Sequence, residues 1–255
     1  MAEGVEVVRA GMSAGISPEA LFVAAEHAHD HEVETLASLA AERGVRCQLL
    51  APGVAANVAS TVSPHPAFGI FAMIDTEAAS LGTVDLAVVL AEVRDPGNAG
   101  TILRSADAAG VDAVLMCGSV DPFNPKTVRA SAGSIFHVPL VVMGGADEAI
   151  STLHARGLEV FAAASVGVDY TSLDLRGPHG FVLGNEAAGL APQVRDLADA
   201  TVAIPMAGQA ESLNVGVACA LLCFESLRQR RAAGTQRAPL GPPDVAARQG
   251  RVASR

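Results

Sequence analysis

Three short stretches hold the residues whose types and spacing could do chemistry: RDPGNAGTILR (94–104), LGNEAAGL (183–190) and PMAGQAESLN (205–214). Each is rich in Gly, Asn or acid. The third lies between a strand-like run and an apolar helix and contains no Lys or Arg. A phosphate cradle wants a nearby cation or a glycine fingerprint, and neither Gly-x-Gly-x-x-Gly nor Gly-Lys-Ser/Thr occurs in the chain. A phosphate is therefore not the expected occupant. Asn98, Asn185 and Asn214 each stand at or near a predicted helix start, where capping and tight turns alone would account for any one of them. Three together are less easily explained that way.

The elements around these loops place them on one edge. VDLAVVLAEV (84–93) reads as a buried strand, NAGTILRSADAAG as a helix and VDAVLMCG as the next strand. A helix across PKTVRASAG, the strand HVPLVVM, the helix DEAISTLHARG and the strand LEVFAAAS follow. FVLGNE and ATVAIPM are two further strands around a short helical PQVRDLAD, before a long helix over 214–230. Near-continuous apolar strands alternating with helices imply an α/β fold with a parallel sheet covered on both faces. In such a sheet ligands sit beyond the carboxyl ends of the strands, which is where all three loops fall.

Residues 3–75 read as a smaller α/β unit: a helical start, the strand LFVAAE, a helix in HEVETLASLAAERG, the strand VRCQLL, a helix in VAANVAS and a strand at GIFAMI. Linker edges are expected around 63–69 and 79–83. After Arg231 a Gly, Pro, Ala and Arg mixture has no hydrophobic period and reads as a disordered tail. The division is thus 1–78, 79–230 and a basic tail over 231–255.

Half the residues are hydrophobic, so most of the chain should pack, yet no apolar run reaches the roughly 18 residues of a membrane span. The acidic N-terminus without an apolar stretch is not a secretory signal, and the cytoplasm is the expected location. Cys219 and Cys223 share one face of an apolar helix and read as core. His27, His29 and His31 alternate at a helix start and do not converge, so they read as a solvated face and no metal is expected. The net charge of −10 argues against nonspecific coating of nucleic acid, although residues 226–255 hold seven arginines against one acid.

The three loops resemble the motifs of a known family. Asn98-Ala-Gly100-Thr-Ile-Leu-Arg104 is similar to the first motif of the SpoU/TrmH branch of the SPOUT RNA methyltransferases. Leu183-Gly184-Asn185-Glu186 with Gly189-Leu190 resembles the second, and Ile204-Pro-Met206 followed by Glu211-Ser-Leu-Asn214-Val the third. Order and spacing agree across residues 84–228. Asn124-Pro-Lys126-Thr-Val-Arg129-Ala-Ser131-Ala-Gly133 is also similar to a segment usual in this branch, and MAEGVEVVRAG resembles its Glu-Gly helix start without the basic stretch normally ahead of it. Gly216 stands where the family more often has Ser or Ala, and it would allow close helix packing.

The resemblance implies a sheet whose C-terminal part threads into a deep trefoil knot, preceded by a small domain related to a ribosomal-protein fold that recognises RNA. It implies S-adenosylmethionine as cofactor, RNA as substrate, ribosomal before transfer, and a homodimer, with helix 214–228 apolar enough nearly all round to serve both domain and interface. Gly184, Ile204 and Leu213 would line the adenosine pocket, with Leu183, Met206 and Ser212 nearby. The reaction implied is methyl transfer to a ribose 2′-hydroxyl, which needs no metal. Arg104 would be the catalytic candidate. Because arginine stays protonated in proteins, it suits an electrostatic clamp better than a base. Glu186 would orient the site or accept the proton, Asn98 and Asn214 would fix loop geometry, and Arg129 with Lys126 would meet RNA phosphates.

Overall fold

A computed structural model describes residues 1–59 and 65–235. The first sheet has four strands, β1 (Ala2–Glu3), β2 (Ala20–Ala24), β3 (Cys47–Leu50) and β4 (Ala67–Ile70), in the order β1-β4-β2-β3. Helices α1 (Val5–Ser13), α2 (His31–Glu42) and α3 (Val54–Val58) accompany it. Only β2 and β3 run parallel. The strand expected at GIFAMI is displaced toward the N-terminus, because Phe71 leaves the sheet to pack on Phe136 with ring centroids 4.8 Å apart. Two-residue β1 is too short to carry a period and was not anticipated.

The second sheet is parallel throughout. Its strands are β5 (Leu86–Ala91), β6 (Ala113–Cys117), β7 (Leu140–Met143), β8 (Glu159–Asp169), β9 (His179–Leu183) and β10 (Ala200–Ala203), in the order β10-β8-β9-β5-β6-β7. Every residue of β5 is buried. Leu86, Val88 and Leu90 enter one apolar cluster, which includes residues of α4 (Pro96–Ala109) and α8 (Val215–Ala233). Ala87, Val89 and Ala91 enter the opposite cluster with α6 (Ala146–Ala155). The unbroken apolar run is thus explained by a strand covered on both faces. Two shorter helices, α5 (Pro125–Ala130) and α7 (Pro192–Arg195), complete the set among the described residues.

Helix α4 begins two residues before the predicted start at Asn98. Asp95 is its cap, with Oδ1 accepting the Asn98 amide at 2.8 Å and Pro96 in the first helical position. Helix α8 begins under Asn214 and continues to Ala233, where Gly234 closes it in the left-handed region. The expected boundary at 230 is therefore too early, and the expected tail disorder falls on residues from 236 onward, outside those described. Two glycines bring the helices close. A Cβ on Gly100 would lie 2.7 Å from the Thr127 carbonyl of α5, and one on Gly216 would lie 2.9 Å from Thr101 Cγ2, so the departure at 216 does permit close packing of α8 on α4.

The far end of α8 is pinned to the amino end of β9 by a buried histidine. Nδ1 of His179 must donate to the Gly177 carbonyl at 2.9 Å, leaving Nε2 to accept from the Ser226 hydroxyl at 2.8 Å. Burial pushes the pKa of His179 down to about 4 from 6.5, with the nearby Arg230 adding to the fall and the Gly177 bond opposing it. Between those values only the unfolded chain binds the proton. Stability is therefore full above about pH 6.5 and drains as the pH falls toward 4, by about 3 kcal/mol. Urea melts of wild type and His179→Gln across this range should show wild type losing that much more than the variant; parallel pH curves would contradict the assignment.

Candidate active site

At the carboxyl edge of β5 the backbone turns sharply at Glu92, whose φ is 59°. A side chain other than Gly enters this left-handed region at a cost, so something must hold it there. Asn185 does, donating from Nδ2 to the Glu92 carbonyl at 3.0 Å. Its Oδ1 accepts the amides of Ala187 and Ala188, and Asn185 and Gly189 bridge across the turn. Asn185 therefore closes a loop and does not start a helix, correcting the expectation.

Glu186 projects from that loop into the one after β5. Oε2 accepts the Arg94 amide at 3.1 Å, while Oε1 accepts the Asp95 amide and Asn98 Nδ2, each at 3.0 Å. A carboxylate cannot donate, so Asn98 must turn its nitrogen toward Glu186 and its oxygen away. That oxygen accepts Asn214 Nδ2 at 2.8 Å. Asn214 in turn keeps its own oxygen for the amides of Gly216 and Val217 at the start of α8. Every amide orientation in this series is fixed by the one before it. The three motif loops are joined through the side chain of Asn98.

The electrostatics reinforce the arrangement. Desolvation raises the Glu186 pKa, but the Asn98 side chain and the amides of Arg94 and Asp95 outweigh it and hold the carboxyl below its ordinary range. Such a group anchors better than it accepts protons. The Asp95 pKa is also lowered, chiefly by the Asn98 amide, against some desolvation and with help from Lys126, whose Nζ lies 3.3 Å from Asp95 Oδ2.

The other expected site residues divide into groups. Leu183 is buried at the end of β9 and Gly184 follows it, so close to the opposite side of the turn that a Cβ would lie 2.6 Å from the Leu190 nitrogen. Ile204 is partly buried, whereas Met206, Ser212 and Leu213 are exposed on the loop between β10 and α8. From Pro205 to Leu213 no backbone amide donates to another backbone group among the described residues. Unpaired backbone amides beside exposed Met206 and Leu213 suit an amino-acid moiety and the face of a base, and the residues present fit S-adenosylmethionine. Arg104 is exposed on α4, without a hydrogen bond or ion pair among the described residues. It is six residues from Asn98, about 240° round the helix, and leans over the turn holding Gly100 and Thr101.

Lys126 and Arg129 do not stand free. Lys126 pairs with Asp95, and Arg129 is largely covered, with Nη1 3.1 Å from Glu3 Oε2. Sequence reasoning missed Glu92, the amides of Arg94 and Asp95, and the Asp95 cap, although Asp before Pro is a recognisable helix start. His27 pairs with Asp30 and His29 approaches Glu34; among the described residues no three ligands gather for a metal. Cys219 and Cys223 are core residues as expected, both fully buried.

Three loops at the carboxyl edge of the parallel sheet thus meet at Asn98, and the helix that carries Asn98 also carries the exposed Arg104. The profile of the SpoU rRNA Methylase family matches residues 85–224. The 23S rRNA (guanosine(2553)-2'-O)-methyltransferase RlmP of Bacillus subtilis is 36% identical over 185 residues, 72% of this chain and 73% of the relative. The 23S rRNA (guanosine-2'-O-)-methyltransferase RlmB of Pseudomonas syringae is 35% identical over 218 residues, 82% of this chain and 87% of the relative. Among solved structures, the SpoU methyltransferase AviRb of Streptomyces viridochromogenes in complex with AdoMet aligns with a TM-score of 0.80 and 28% identity, covering 90% of this chain and 89% of that one. The chain belongs to the SpoU rRNA methylase family, and it is a methyltransferase that uses S-adenosylmethionine.

Asn98→Ala should uncouple the loops, weakening S-adenosylmethionine binding about tenfold, the scale of losing hydrogen bonds to a charged group. Asn98→Asp should weaken it further by placing a second carboxylate against Glu186. Calorimetric titration checks both, and wild-type affinity in Asn98→Asp would contradict the geometry.

Proposed function

We propose that this protein methylates the 2′-hydroxyl of one ribose in ribosomal RNA. The observation that carries the reading is the join of three motif loops through Asn98, with Arg104 exposed on the same helix. Leu183, Gly184, Ile204, Met206, Ser212 and Leu213 would hold the cofactor, which when bound supplies a methyl group already activated on a sulfonium. What the protein must add is alignment of the hydroxyl and stabilisation of the charge that develops on it. Arg104 has no competing carboxylate among the described residues and takes that role as a clamp. Glu186, whose two oxygens are occupied by three N–H donors, orients the site by holding the loop.

The four-stranded sheet formed by residues 2–70 serves as the RNA-recognition domain, and the segment leading from β10 into α8 forms the trefoil knot. The site lies in the cytoplasm, where ribosomal RNA is available to it. With a net charge of −10, productive RNA contact falls to a few cations, Arg104 foremost, so affinity should fall only shallowly with salt. The active form is a homodimer. Val217, Leu221 and Phe224 share one face of α8, are 46%, 37% and 45% exposed, and give an apolar stripe of the kind a second copy covers.

Two experiments test this reading. Protein is incubated with methyl-labelled S-adenosylmethionine and separated ribosomal and transfer RNA, then digested to nucleosides. Label should appear as a 2′-O-methylnucleoside from ribosomal RNA, and Arg104→Ala should lower the rate at least about a hundredfold, the usual scale for removing an oxyanion-stabilising group. Label in transfer RNA alone would reassign the substrate, and no label with intact cofactor binding would make this a silent binding module. For the dimer, Phe224→Asp should shift the sedimenting species to monomer; a wild-type monomer at micromolar concentration would refute it.

A further inference from the structure

We infer that the ion pair between Glu3 and Arg129 is the connection through which the N-terminal sheet sets the first turn of α4, making Glu3 a positioning residue for the reaction proposed above. Glu3 is only 1% exposed, although it lies three residues into the chain. Burying a carboxylate costs several kcal/mol unless it is well paired. Here the partner comes from the other sheet's domain, with Arg129 Nη1 3.1 Å from Oε2.

Arg129 sits on α5, a helix of only six residues that cannot hold its shape alone. Its inner side is fixed by close packing. Thr127 and Ser131 are fully buried, their hydroxyls donating to the Asp121 and Val128 carbonyls, and Gly100 of α4 lets the α5 backbone approach. Two of its side chains also form ion pairs. Lys126 and Arg129, three residues apart and so neighbours on the helix surface, reach Asp95 and Glu3 respectively.

Asp95 is where the two ends of the relay meet. Its carboxylate caps α4 and receives Lys126, while its backbone amide donates to Glu186. A shift of α5 is therefore felt directly by the loop that Glu186 and Asn98 hold. The N-terminal sheet is also seated near α5 by packing, with Ala10 of α1 against Gly133 and Gly11 against Phe71 and Phe136. Those contacts are apolar and tolerate sliding. The ion pair is directional and sets register.

The test is amide hydrogen exchange on the full chain, which needs neither RNA nor turnover. Glu3→Gln keeps the shape and removes the charge, and Lys126→Met breaks the relay at its exposed end without threatening the fold. Both should speed exchange at the amides of Arg94, Asp95 and Asn98 about tenfold, with the Val160 amide, held by Asp199 in a distant strand, unchanged. In the labelled-methyl assay Glu3→Gln should lower kcat/KM for S-adenosylmethionine about tenfold, and Arg129→Lys should retain most of it. Unchanged exchange at the loop in Lys126→Met, or equal acceleration at Val160 in Glu3→Gln, would overturn the inference, because the pair would then be only a structural contact. An inactive wild type would count against the proposed reaction while leaving the exchange result to decide the relay.

Discussion

A carboxylate can only accept, and that single restriction organises the site. Glu186 takes two backbone amides and one side-chain amide, which turns Asn98 round, which turns Asn214 round, which leaves one oxygen to cap α8. Reverse any amide and two donors or two acceptors face each other. The loops of three strands thereby acquire one relative geometry with no ligand present. Preorganisation of this kind lowers the cost of binding and of aligning a transferred group.

The charges around the site are nearly all committed to holding shape. Lys126 is on Asp95, Arg94 lies 3.4 Å from Glu92, and Arg129 is on Glu3. Arg104 alone among the expected site cations is free of such a partner among the described residues. An acidic protein that must engage a polyanion gains from this economy, since an unpaired guanidinium can meet an anion without first breaking an ion pair. Glu92, held in a strained backbone by Asn185, shows that the fold tolerates local cost to place this loop.

Much of this was legible in the residues. The run LAVVLA has no polar face, so a strand buried on both sides was the direct reading, and the parallel order follows from the helices between strands. The three motif loops were visible as separate features. Their mutual contacts were not, because 88 and 116 residues separate Asn98 from Glu186 and Asn214, and no local pattern encodes such a distance. The helix start at Asp95 was readable from Asp-Pro and was overlooked in favour of Asn98. Arg129 read as a free cation because its partner lies 126 residues away at the start of the chain. The left-handed Glu92 has no signal in a single sequence at all, since glycine is what such a turn ordinarily announces.

Glu186 and Asn214 share no direct hydrogen bond, yet this geometry ties both to one amide. A double-mutant cycle on S-adenosylmethionine affinity, using Glu186→Gln and Asn214→Ala, measures that tie directly. The account requires the two losses to be non-additive, by about fivefold or more, and the non-additivity to vanish when Asn98 is already Ala. Simple additivity with Asn98 intact would mean that the loops reach their positions independently, and the bridge would not be what builds the site.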